Sequence, residues 1–257
     1  MKRIYLCAIL AVAAMSLTTP LPRASETDDR IESAATKSHL FKTQLKADSI
    51  TTASRNGAVT LTGTVAESSH RSMAQDTVES LPGVTTVDNQ LKVTGESPPE
   101  HSDAWVGLNV KTALLFQRNV SATKTHVNVK HGLVILSGEA SSVTQKRMTS
   151  EYVKDVEGVR AVRNEMKVVK TPIRRAKTSR EKIDDASITA QVKSSLRSHR
   201  STGALTMNVK TTNGVVTVSG IAKNAAERSL VTKRVIGING VRRAVNIMII
   251  SAPIAKS

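Results

Sequence analysis

The chain of 257 residues is poor in the residues that many functions require, and each shortage removes a class of explanation. Aromatic residues make up 2 per cent, with one Trp, two Tyr and two Phe. Base-stacking platforms are therefore nearly absent, which argues against nucleic acid as partner although the pI is near 10.3. The single cysteine, Cys7, lies in an apolar run at the N-terminus, so a processed chain would carry no disulfide, no thiolate nucleophile and no Cys-ligated metal. Neither G-x-G-x-x-G nor a Walker sequence occurs. None of the six histidines forms H-x-x-x-H or H-E-x-x-H, and they read as solvated surface residues. Asp28-Asp29 and Asp184-Asp185 precede apolar helical stripes, where acids cap a helix and complement its dipole, and Ser102-Asp103 holds the same place. No catalytic, metal or cofactor set emerges, and the expectation is a non-enzyme.

No run of 18 apolar residues follows the N-terminus. Lys2-Arg3, the apolar stretch Ile4 to Ala14 and the polar residues after it read as a secretory signal peptide, residues 1–24. In a double-membraned host the mature protein would be periplasmic.

What the chain has is repetition. Asn56-Gly57-Ala58-Val59-Thr60-Leu61-Thr62-Gly63 recurs from His131 to Gly138 and from Asn213 to Gly220. Gly83-Val84, Gly158-Val159 and Gly240-Val241 follow at one fixed distance, with Asn89, Asn164 and Asn246 six residues after each glycine. These are three modules of one small fold, 26–95, 103–170 and 183–251, joined by a Pro-containing spacer, 96–102, and a basic linker, 171–182. Each reads as helix, strand, strand, helix, strand. Val106, Val110 and Leu114, and again Ile188, Val192 and Leu196, form the first-helix stripe. Asn-Gly signals a tight hairpin, and the glycine after the second helix a left-handed cap. The nine glycines Gly57, Gly63, Gly83, Gly132, Gly138, Gly158, Gly214, Gly220 and Gly240 are read as structural. The expected fold is α+β: three tandem α-β-β-α-β units, each a three-stranded mixed sheet with two helices on one face.

These landmarks resemble the BON domain, the "bacterial OsmY and nodulation" module, whose pattern is G-x-V-x-L-x-G, a helix, then G-V-x-x-V-x-N-x-L-x-V. Module one matches throughout, from Gly57, Val59 and Leu61 to Asn89, Leu91 and Val93. Module two departs only at Met166, and module three substitutes Val218, Ala244, Met248 and Ile250. The resemblance implies a non-catalytic periplasmic module linked to osmotic stress and envelope integrity, binding phospholipid or envelope proteins.

Charge is uneven. Residues 26–97 hold 7 basic and 10 acidic side chains, residues 98–170 hold 11 and 7, and residues 171–257 hold 16 and 4. Anything drawn by positive charge should meet the C-terminal third. There the last strand carries Val245, Ile247 and Ile249 where modules one and two carry Asp88, Gln90 and Lys92, or Arg163, Glu165 and Lys167. A strand apolar on both sides reads as buried on both faces. With Lys233, Arg234, Arg242 and Arg243 nearby, it forms the candidate surface for an anionic phospholipid membrane, the alternative partner being an envelope protein held by a chaperone or scaffold.

Overall fold

The computed structural model describes residues 26–169, 183–203 and 206–251, so the signal segment, Cys7 and the basic linker lie outside the described residues. Module one contains α1 (Glu26–Lys37), α2 (His39–Lys42), β1 (Ser49–Arg55), β2 (Ala58–Val65), α3 (Ser68–Glu79), β3 (Thr86–Asn89) and β4 (Lys92–Val93). Module two contains α4 (Asp103–Leu115), a short 3-10 turn, β5 (Thr125–Lys130), β6 (Leu133–Ala140), α5 (Val143–Lys154), β7 (Ala161–Asn164) and β8 (Lys167–Val168). Module three contains α6 (Asp185–Arg197), α7 (Arg200–Gly203), β9 (Met207–Thr212), β10 (Val215–Ala222), α8 (Ala225–Ile236), β11 (Arg243–Asn246) and β12 (Ile249–Ile250).

Each module is the mixed sheet that the pattern predicts. The hairpin strands pair antiparallel, and the last strand pairs parallel to the central one, as β3 and β4 do to β2. That last strand is broken, because Asn89, Asn164 and Asn246 turn away from the ladder. Each donates its amide to a carbonyl of the second helix, Arg71 at 3.1 Å, Lys146 at 2.8 Å and Arg228 at 2.9 Å. Each also accepts from the backbone N–H two residues on. The landmark asparagine thus rivets the broken strand to the helix.

The hairpin turns have φ of 54° and 78° at Asn56 and Gly57, and His131 with Gly132 adopts the same left-handed pair. At the end of the central strand, a Cβ on Gly63, Gly138 or Gly220 would lie 1.9, 2.1 or 2.3 Å from the carbonyl oxygen of Ser49, Lys124 or Thr206. No side chain fits there.

The modules are not separate beads. Module two has its own core around Val110, Leu114, Leu136 and Val153. Modules one and three share a single one, running from Ile31, Leu61 and Val78 to Ile188, Val218 and Val235. The join is α3 against α6, and α6 is enclosed: ten of its thirteen residues are buried. Ile188, Val192 and Leu196 serve its own module, while small Ser187, Ala190, Ser194 and Ser195 let neighbouring backbones come close.

Candidate binding surface and module junctions

The apolar strand of module three is exposed, which corrects the expectation that both its faces are buried. Ile249 is 71 per cent exposed, Ile247 57 per cent, and Ile221, the parallel partner of Ile249, 59 per cent. The reason is topological: the helices cover only the face formed by Val216, Val218 and Ala222, and nothing among the described residues covers the other. On that open face β10 presents Val215, Thr217 and Ile221. Arg243 lies opposite Val215, half-buried Val245 opposite Thr217, and Lys210 of β9 on the far side of Thr217. The face is therefore an isoleucine patch bordered by exposed Arg243 and Lys210.

The other proposed cations lie elsewhere. Lys233 is exposed on α8, on the helix side of the sheet and close enough to Glu151 of module two to lower its pKa, behind the larger effect of Lys154. Arg234 is only 5 per cent exposed, because its guanidinium crosses to the Asp155 carboxylate of module two at 2.5 Å. It is a junction residue, not part of a solvent-facing basic patch. Exposed Arg242 lays its aliphatic stem across the Gly214 turn. It lines a groove of about 1200 Å³ with Arg118, Asp185, Asn213 and Asn239. Two charges of that groove are already engaged, since Arg118 donates to the carbonyls of Ile238 and Val241 and Asp185 holds the turn.

Asp185 has equivalents in every module. Its carboxylate accepts the N–H groups of Asn213 and Gly214 at 2.6 and 2.8 Å, Asp103 those of His131 and Gly132 at 2.7 and 2.9 Å, and Asp28 those of Asn56 and Gly57 at 2.9 and 3.0 Å. These amides hold the Asp103 carboxyl below the usual carboxylate range. Helix capping falls instead to the preceding residue, Ser102 or Asp184.

Two junctions order the modules. At the first, Lys193 of α6 lies 3.2 Å from Asp76 and 3.3 Å from Glu79 of α3, and Arg197 pairs with Asp76. Asp184 accepts the His39 N–H at 2.7 Å, and Ser187 the Leu40 N–H at 3.1 Å.

At the second, modules two and three meet with near two-fold symmetry; equivalent residues are 82 apart, as Gly132 and Gly214 are. Arg118 N–H donates to the Gly237 carbonyl at 2.9 Å, and its counterpart Arg200 N–H to that of Asp155 at 2.9 Å. Asn239 N–H donates to Phe116, and Glu157 N–H to Ser198. Gln117 bridges Ile238, and its counterpart His199 bridges Val156. His199 also corrects the reading of all six histidines as solvated, because its side chain is fully enclosed at this junction.

Among the described residues no three His, Cys, Asp or Glu side chains are grouped to hold a metal ion, and no helix is long and apolar enough to cross a membrane.

The chain is similar to several known proteins. Osmotically-inducible protein Y of Escherichia coli is 29 per cent identical over 193 residues, covering 74 per cent of this chain and 91 per cent of that protein. The outer membrane lipoprotein DolP of Haemophilus influenzae is 28 per cent identical over 159 residues, covering 59 and 80 per cent. The solved C-terminal domain of CdsD, a structural protein of the type III secretion system of Chlamydia trachomatis, aligns at 18 per cent identity and a TM-score of 0.22, covering 90 per cent of this chain and 100 per cent of that one. The BON domain model matches residues 27–95, 102–170 and 184–251, and with three matches spanning most of its length the chain belongs to the BON domain family.

Proposed function

We propose that this is a non-catalytic periplasmic protein that binds anionic phospholipid surfaces and supports the envelope under osmotic stress. The observation that carries the reading is the open sheet face of module three, where Ile221, Ile247 and Ile249 face solvent beside Arg243 and Lys210. An exposed apolar patch on a sheet that could have been polar marks a contact surface. Each cation near an anionic bilayer contributes about 1 kcal/mol, so two or three give weak binding alone. Insertion of the isoleucines adds roughly 1 to 2 kcal/mol apiece. The osmotic inducibility and outer-membrane location in the names of the two relatives support an envelope setting.

A second reading, a scaffold or chaperone for envelope proteins, draws on the same place. The β11 and β12 segments form a sheet edge, and an extended polypeptide could add there as a further strand.

Co-sedimentation of the chain from Ser25 onward separates the two. Phosphatidylglycerol vesicles should pellet it at low salt, release it at physiological salt, and fail to pellet a folded Val245→Thr, Ile247→Thr, Ile249→Thr variant. No pelleting under any condition would move the function to a protein client, and undiminished pelleting of the variant would place the lipid site elsewhere.

A further inference from the structure

The near two-fold contact between modules two and three is broken at one position by a titratable side chain. Gln117 and His199 are symmetry counterparts, 1 and 0 per cent exposed, and of the two only His199 can gain a proton. Its Nδ1 donates to the Ser195 carbonyl at 2.6 Å, which leaves Nε2 as the basic nitrogen, and Nε2 has no hydrogen-bond partner. The charged groups facing the ring are Arg234 from α8 and Asp155 from α5, and the main-chain carbonyls of Ser195 and Tyr152 favour its charged form, though less than burial and Arg234 oppose it. Asp155 is already engaged, by the Arg234 guanidinium on one oxygen and by Ser201 Oγ on the other. A proton on Nε2 would therefore set a second buried cation beside Arg234, with no free carboxylate to pair it and only the Tyr152 carbonyl to receive it.

We infer that His199 is an acid-sensitive latch, whose protonation parts module two from module three and bares the Phe116, Val156 and Ile238 surface between them. These three apolar side chains are no more than 3 per cent exposed while the junction is closed. The main-chain bonds of the junction, from Arg118, Arg200, Asn239 and Glu157, and the Arg234–Asp155 pair all lie outside the strands, so it can open without dismantling either sheet.

The direction follows from linkage. Burial, then the Arg234 charge, pushes the His199 pKa from 6.5 down to about 4. The closed form thus binds fewer protons than an open form with a solvated ring, and it is fully favoured above pH 6.5. It loses ground as pH falls and levels off below about 4. Between pH 7.5 and 5.0 the open form gains about 30-fold.

The test is amide exchange by NMR on the chain from Ser25 onward, corrected for intrinsic exchange at each pH. The Arg118 and Arg200 amides should show the 30-fold rise in opening, while those of Leu61, Leu136 and Val218 in the central strands stay protected. His199→Gln installs the residue that the counterpart position already uses, and should flatten the response. An unchanged wild type, the same rise in the variant, or equal loss of protection in the central strands would overturn the latch. Should the variant fail to fold, the His199 ring titration in the wild type decides: a midpoint near 4 supports the latch, and one near 6.5 refutes it.

Discussion

A carboxylate that takes two successive backbone amides fixes a turn against a helix, and in this chain that device appears three times. Removing it from module one by Asp28→Ala strands the Asn56 and Gly57 amides, the latter buried. We expect a loss of roughly 2 to 3 kcal/mol in urea denaturation. Gly138→Ala meets the Lys124 carbonyl from a φ of 105°, and should cost about 2 to 3 kcal/mol or prevent folding, read as a fall in thermal midpoint. The glycines and the hairpin turns were legible in the sequence, because a left-handed backbone leaves a residue-type signature. The aspartate clamp leaves a fainter mark, the constant 28-residue spacing of Asp28 to Asn56, Asp103 to His131 and Asp185 to Asn213. A bond to a backbone amide leaves no partner side chain in the sequence, and helix capping accounts equally well for an acid at these positions.

Helix α6 shows the same limit at the scale of an element. Its stripe of Ile188, Val192 and Leu196 announced one buried face. The serines and alanines of its other face look like solvent positions, and their burial is imposed by partners distant in sequence, among them α3 along one seam, Leu40 at Ser187 and Gln117 at Ser195. Filling that seam with Ala190→Leu should force α3 from α6 and cost about 1 to 3 kcal/mol, seen in calorimetry as a lowered transition. Asp76→Ala should weaken the same seam by leaving Arg197 without its partner and Lys193 with Glu79 alone. The last strand of module three errs in the opposite sense: its apolar sequence suggested cover on both faces, yet a strand's composition reports what it can touch, and Ile249 is left open.

For the whole molecule the consequence is unequal coupling. Modules one and three share a core, so Ile188→Ala in module three should raise amide exchange across module one as well, while Leu136→Ala should act chiefly within module two. Hydrogen exchange by mass spectrometry distinguishes the two patterns. Charge follows the same division. The acidic block of residues 26–97 meets the basic C-terminal third at α3 and α6, which neutralises part of the field before any outside partner arrives.

The contact between modules two and three has the form of a homodimer interface, but its halves are tethered in one polypeptide. Its closure is a first-order event, set by a fixed local concentration rather than by the number of molecules present. A two-chain version would come apart when the compartment swells and its contents thin out, whereas this one stays paired at any dilution, down to a single copy per cell.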